Sequence, residues 1–150
     1  MNVLLFAHLL GLLTALGFPP FGIWPLTWIA GAGMVWLLLS HARLEDRKTA
    51  GWIFAHYSFS VNLYGFYWIA YTLREFAGMP WIAAALILLA VFAIIGALAF
   101  FFGWMWPWIA LKTERGIFAK VPPVLYLALW LVVWNAADLR AFPWVHAQSV

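Results

Sequence analysis

The side chains able to do chemistry in this sequence are few, and most of them stand beside aromatic residues. Arg74 and Glu75 follow a Tyr67-Trp68-Ile69-Ala70-Tyr71 cluster, and Asp138 and Arg140 precede Phe142-Pro143-Trp144. Brought together, two guanidinium groups, two carboxylates and a set of indole and phenol rings would suit a phospholipid headgroup at a membrane–water boundary, because a guanidinium holds phosphate through two parallel N–H bonds. Spacing alone leaves open the plainer alternative of two ordinary interfacial ion pairs. The other acids, Glu45, Asp46 and Glu114, lie in or beside polar segments, so no carboxylate falls in the middle of an apolar run. Proton-coupled transport usually needs such a group as a relay, and only His56 and Asn62 are candidates. A lone histidine such as His56 or His8 is more often a hydrogen-bonded structural residue. The four histidines show no metal-ligand spacing, so neither a metal nor another cofactor is expected. Cysteine is absent, which excludes disulfides, thiolate metal sites and a cysteine nucleophile within these residues. There is no G-x-S-x-G, no glycine-rich phosphate loop and no HExxH.

The elements that must position these residues are apolar helices. Of the 150 residues, 67% are hydrophobic and 9% charged, with mean hydropathy +0.96. A soluble domain carries about 25% charged residues, so this chain has too few to cover a water-facing surface. The reading is an all-α integral membrane protein, a bundle of about five transmembrane helices with short loops. The first helix is expected over Val3 to about Leu16, retained rather than cleaved as a signal because no Lys or Arg precedes it. A rigid Pro- and Gly-rich aromatic turn should follow from Phe18 to Pro25, and a second span from about Pro25 to Ser40. The third span is expected over about Gly51 to Tyr71, leaving the membrane through its aromatic cluster into a loop at Thr72–Met79. Pro80 then opens the fourth, which Trp104-Met105-Trp106-Pro107-Trp108 should end. Pro122-Pro123 begins a fifth, running to near Ala137.

Orientation follows from the basic residues. The loops around 41–48 and 112–120 hold three each (Arg43, Arg47, Lys48; Lys112, Arg115, Lys120), whereas the opposite face holds only Arg74 and Arg140. That asymmetry puts the N-terminus in the cytoplasm and the C-terminus outside. The formal net charge of +3 is thus a matter of topology, and no nucleic-acid partner is expected.

Three stretches carry a resemblance. Gly17-Phe18-Pro19-Pro20-Phe21-Gly22-Ile23-Trp24-Pro25 resembles the first periplasmic turn of bacterial apolipoprotein N-acyltransferases. Tyr64-Gly65-Phe66-Tyr67-Trp68-Ile69, with Phe76-Ala77-Gly78-Met79-Pro80, is similar to that family's third-helix exit. Trp134-Asn135-Ala136-Ala137-Asp138-Leu139-Arg140 leading into Phe142-Pro143-Trp144 resembles its fifth-helix exit. The stretches come in the family's order and together cover essentially the whole chain. Two departures stand out: the family has a longer insertion between the arginine and Phe-Pro-Trp, and a Glu where this chain has Ala137, with Asp138 one position on.

The resemblance implies that residues 1–150 are the N-terminal membrane portion of an inner-membrane enzyme that moves an acyl chain from phospholipid to a lipoprotein's N-terminal cysteine. The family continues into a carbon–nitrogen hydrolase domain with a Glu-Lys-Cys triad, which these residues do not contain. The expectation is a truncated or stand-alone platform, inactive by itself, whose partners are membrane phospholipid, a lipoprotein substrate or a missing hydrolase domain. Its lipid-binding residues would be Tyr67, Trp68, Arg74, Glu75, Arg140, Phe142, Pro143 and Trp144. The alternatives from other classes are a small oligomeric transporter or channel subunit and a bare anchoring module.

Overall fold

The computed structural model describes residues 2–41, 46–114, 125 and 129, with side chains up to 108 and at the last two positions. Every regular element among the described residues is helical: α1 Val3–Ala15, α2 Pro25–His41, α3 Arg47–Gly65, α4 Trp68–Ala77 and α5 Trp81–Glu114. The all-α expectation therefore holds. Of these helices, only the Trp81–Trp108 part of α5 is long and apolar enough to cross a membrane, with α1 and α2 shorter apolar helices. Leu125 and Leu129 are helical and exposed; the rest of the expected fifth span lies outside the described residues.

Local signals start the helices. The Asn2 carboxamide accepts from the Leu4 N–H at 3.0 Å and caps α1. Pro25, with φ already set for a helix and no N–H to satisfy, is the first residue of α2. The turn expected from Phe18 to Pro25 is present, closed by backbone bonds from Gly22 to Phe18 and from Ile23 to Leu16, both 3.0 Å. Asp46 caps α3, accepting from the backbone N–H of Thr49 at 3.0 Å and from its hydroxyl.

Those donors, the Thr49 hydroxyl first and its N–H second, hold the exposed Asp46 carboxyl below its ordinary value. Because the folded-state pKa is the lower one, the cap is fully present above the unfolded-state value and is lost as pH falls through the folded one. The Thr49 amide should therefore be protected against hydrogen exchange at neutral pH, relative to an unstructured amide at the same pH, and should lose that protection only in acid below the usual carboxylate range. Asp46→Ala should lack that protection at every pH. Equal protection in both proteins would show that the cap does not hold this helix end.

Two glycines set how closely the helices approach. A Cβ on Gly11 of α1 would stand 2.6 Å from both the Ser60 Cβ and the Tyr57 carbonyl oxygen of α3. One on Gly103 of α5 would fall on the Ala50 carbonyl oxygen of α3. Around these contacts lies a core of Leu10, Met34, Leu37, Leu38, Ile53, Phe54 and Trp106. A second cluster of Phe66, Leu88, Phe92 and Ile95 closes the opposite end of the α3–α5 pair. The two helices are antiparallel, since Arg47 meets Trp104 while Phe66 packs with Leu88 and Phe92.

Three expectations are corrected. The third span is not one helix from Gly51 to Tyr71, because α3 ends at Gly65 and a separate α4 begins at Trp68. Phe66 is pulled out of helical register (φ −124°, ψ 17°) and buried against the second cluster and the Phe18 ring, 5.6 Å away. Tertiary packing here overrides local helix propensity. The Thr72–Met79 loop is also absent as such, since α4 fills most of it. Gly78, left-handed at φ 64°, ends that helix in a conformation a side chain would strain.

Lastly, Trp104–Trp108 does not end α5, which continues through Pro107 to Glu114. A proline inside a helix withholds one backbone bond and usually breaks or kinks it. Here Pro107 is fully buried and Trp106 sits in the core. Arg47 lies 3.8 Å from the Trp104 ring centroid and donates from Nε to the Trp104 carbonyl at 3.2 Å. Packing on both sides outweighs the missing bond.

Candidate functional site

Phe66 breaks the chain out of α3, α4 packs along the first part of α5, and Gly78 turns the chain into α5. This double turn brings Arg74 onto α5's first residue. Its guanidinium lies 4.7 Å from the Trp81 ring centroid, and its Nε is 3.4 Å from a Glu75 carboxylate oxygen. The Tyr71 ring stands 6.3 Å from the same indole. Both charged side chains are a little under half exposed, so the ion pair is screened by water and open to exchange. A half-exposed cation over an indole face can take an anionic group without first being freed from a buried bond.

Of the residues expected from the sequence, Arg74 and Glu75 are thus together. Trp68 is half-buried against the Phe66, Leu88, Phe92 and Ile95 cluster, where it supports the turn. Tyr67 is exposed at the start of α4. Phe18 packs on Phe66, so the first turn of the chain belongs to the same end of the bundle. Arg140, Phe142, Pro143 and Trp144 lie outside the described residues. Sequence reasoning did not single out Trp81 and Tyr71 as site residues, although the Gly78-Met79-Pro80 turn between Arg74 and Trp81 was a usable signal.

The polar residues inside the bundle have mostly structural partners. His8 Nε2 pairs with the Tyr64 hydroxyl at 3.0 Å, while Ser60 Oγ donates to the His8 carbonyl at 2.7 Å. Thr14 and Tyr57 hydroxyls pair at 2.9 Å. Buried Asn62 donates from Nδ2 to the Ser58 carbonyl at 2.8 Å, and its Oδ1 has no partner among the described residues. His56 lines an open, largely apolar groove of about 500 Å³ between α3 and α5, with Trp52, Phe59, Gly96, Phe100 and Phe101. The groove was not foreseen, because it depends on which faces of two helices far apart in sequence come together.

Residues 10–147 match the family model described as apolipoprotein N-acyltransferase N-terminal domain. The chain is 32% identical over 145 residues to the apolipoprotein N-acyltransferase of Ralstonia nicotianae, covering 93% of this chain and 26% of that protein. It is 30% identical over 142 residues to the enzyme of Pseudomonas putida, covering 91% of this chain and 26% of that one. With the enzyme of Vibrio vulnificus the identity is 28% over 140 residues, again 93% and 26%. The chain thus spans about a quarter of the length of the curated relatives it matches.

Proposed function

The chain belongs to the apolipoprotein N-acyltransferase N-terminal domain family, and from that premise we propose that its residues form the membrane platform on which phospholipid is held for acyl transfer to a lipoprotein. In that reaction the phospholipid ester bond breaks, an amide forms on the lipoprotein's N-terminal amine, and a lysophospholipid leaves. The 150 residues contain no cysteine, so by themselves they supply no thiol nucleophile for a covalent acyl intermediate. Their part is to bind and orient lipid, a contribution made before the bond-breaking step.

Several features support a membrane location. The 28 residues Trp81–Trp108 have mean hydropathy 2.9 in their most apolar window, and Ile82, Leu86, Ile94 and Phe101 on α5 are all more than half exposed. So large an outward apolar surface is at home in hydrocarbon rather than water. The helices satisfy their backbone groups internally, as a bilayer requires. The six-to-two distribution of basic residues favours a cytoplasmic N-terminus in the inner membrane, with the Arg74 end outside.

The observation that carries the lipid reading is Arg74, half-exposed over Trp81 at the end of an apolar bundle. The phosphate would displace Glu75 from the guanidinium, and Tyr67, Tyr71 and Trp68 would flank the glycerol region. Arg140 with Phe142-Pro143-Trp144 would complete the site from the other segment. Native mass spectrometry of the purified chain should find phospholipid retained, and Arg74→Ala should weaken retention about fivefold, the equivalent of roughly 1 kcal/mol for a solvent-screened charge contact. Arg140→Ala and Trp144→Ala should also weaken it. Unchanged retention in all three, with the helices intact, would leave Arg74 and Arg140 as ordinary surface ion pairs.

A further inference from the structure

We propose that the end of the bundle opposite Arg74 binds one anionic phospholipid, its phosphate at Arg47 and Lys48 and a chain in the α3–α5 groove, an assignment that rests on the membrane reading above. Each helix brings one continuous face to it. On α5, Ala93, Ala97, Phe101, Trp104 and Trp108 recur at intervals of three and four, and on α3 so do Lys48, Trp52, His56 and Phe59. The groove is lined by members of both rows, among them Trp52, Phe59, Ala93 and Ala97, so the same faces run on from it to the charged end. There Arg47 lies 3.8 Å from the Trp104 ring centroid with its Nε engaged by the Trp104 carbonyl, which fixes the guanidinium in place. Among the described residues no carboxylate lies within ion-pair distance of Arg47 or Lys48. Asp46, the acid next to them, is bonded to Thr49.

Charge and size decide the occupant. Two cations beside tryptophans complement an anionic headgroup, and a guanidinium takes phosphate through paired N–H bonds. The groove beyond carries no charged residue, and apart from His56 and the Trp52 indole N–H its lining is apolar, so hydrocarbon is what suits it. Its volume of about 500 Å³ is spread over the rise from Ala93 to Phe101, about 12 Å, a cross-section of roughly 40 Å². A helix 10–12 Å across needs about 80–110 Å², so the groove seats lipid chain and not a helix of a second copy. From Trp104 to Ala93 the α5 face rises about 16 Å, close to half of a hydrocarbon core about 30 Å thick. A chain whose headgroup sits at Arg47 and Lys48 therefore ends at the far end of the groove, near the middle of the bilayer. Gly96, Ala93 and Ala97 leave room for it, because their side chains are small. Bound there, the lipid bridges α3 and α5 in the leaflet away from Arg74, as a support rather than as the acyl donor.

The test uses the full chain carrying Arg74→Ala, so that lipid held at the other end does not obscure the result. Native mass spectra are recorded in detergent with equal amounts of phosphatidylglycerol and phosphatidylcholine. Phosphatidylglycerol should be retained over phosphatidylcholine by about fivefold or more, the factor that one interfacial basic residue supplies. Lys48 is exposed, so Lys48→Gln leaves the packing alone, and it should cut phosphatidylglycerol retention about fivefold. Ala97 is exposed on the groove, and Ala97→Phe changes no charge while its ring takes up the space. It too should cut retention about fivefold, the worth of roughly ten lost van der Waals contacts. Equal retention of the two lipids, or a Lys48→Gln protein that keeps its phosphatidylglycerol, would overturn the anionic site. A loss with Lys48→Gln but none with Ala97→Phe would mean that a headgroup alone is held, which overturns the chain slot. A dimer mass abolished by Ala97→Phe would put a second copy in the groove and refute the proposal likewise. If the Arg74→Ala protein keeps no phospholipid at all, this site is refuted and the Arg74 platform stands. If it keeps as much as the unaltered chain, and Lys48→Gln and Ala97→Phe then remove it, this site stands and the platform falls.

Discussion

Gly103→Leu is expected to separate α5 from α3 and to lower the stability of the chain by about 3 kcal/mol or more, at or beyond the upper end of ordinary overpacking effects. The Cβ alone would fall on the Ala50 carbonyl oxygen and stand 2.7–2.8 Å from the side chain of Phe54. The Ala50 carbonyl oxygen is backbone of α3's first turn and cannot rotate away as a flexible side chain can, so α5 must move. That displacement would reach the Arg47–Trp104 contact, the neighbouring Trp106 and the buried Pro107. Gly31→Ala is the matched control. No atom lies within 4 Å of a Cβ at that position, so the substitution should be neutral or stabilising by up to about 1 kcal/mol through helix propensity. Thermal unfolding of both variants in detergent, followed by far-UV circular dichroism, separates them. A Gly103→Leu protein that unfolds at the temperature of Gly31→Ala would contradict the α3–α5 packing.

Much of the architecture was legible where short-range chemistry decides it. Pro25 at the start of α2, and the Phe18–Pro25 turn, follow from backbone restrictions that these residues carry in any context. The helical character of the apolar runs follows from composition. The boundaries that failed are those decided by distant partners. Nothing near Phe66 in sequence says that Leu88, Phe92 and Phe18 will draw it inward and split the third run. Nothing near Pro107 says that Arg47, some sixty positions earlier, will support the turn beside it.

The same division applies to the candidate site. Arg74 and Glu75 stood out because charges are scarce and border an aromatic cluster. Their geometry over Trp81 needed α4 to be a helix, and the Thr72–Met79 segment reads as a loop until Gly78 is recognised as a helix stop. The Arg140 and Phe142-Pro143-Trp144 half of the site lies outside the described residues, so its convergence with Arg74 belongs to the proposal. The pairing of His8 with Tyr64, 56 positions apart, accords with the expectation that a lone histidine is structural, while naming its partner required the fold.

The second large effect concerns acyl transfer. These residues have no cysteine, and alone they should transfer nothing from phospholipid to a diacylated lipoprotein peptide. Joined to the remainder of a relative, they should support the reaction if the contribution proposed for them, lipid placement rather than a bond-forming group, is the right one. The Ralstonia nicotianae enzyme, which aligns with this chain over 145 residues at 32% identity, is the natural recipient. Its aligned segment is replaced by this chain, and the chimera is purified and supplied with phospholipid and peptide. A platform that positions lipid correctly should restore transfer to within about tenfold of the parent, a barrier difference of roughly 1.4 kcal/mol. Introducing Arg74→Ala should then raise KM for phospholipid more than it lowers kcat. The most direct measurement is the appearance of N-acylated peptide from the chimera by mass spectrometry. Product at a rate near the parent's is the expected result, and a folded, membrane-inserted chimera that yields none would contradict the assignment of this chain as the lipid platform of an N-acyltransferase.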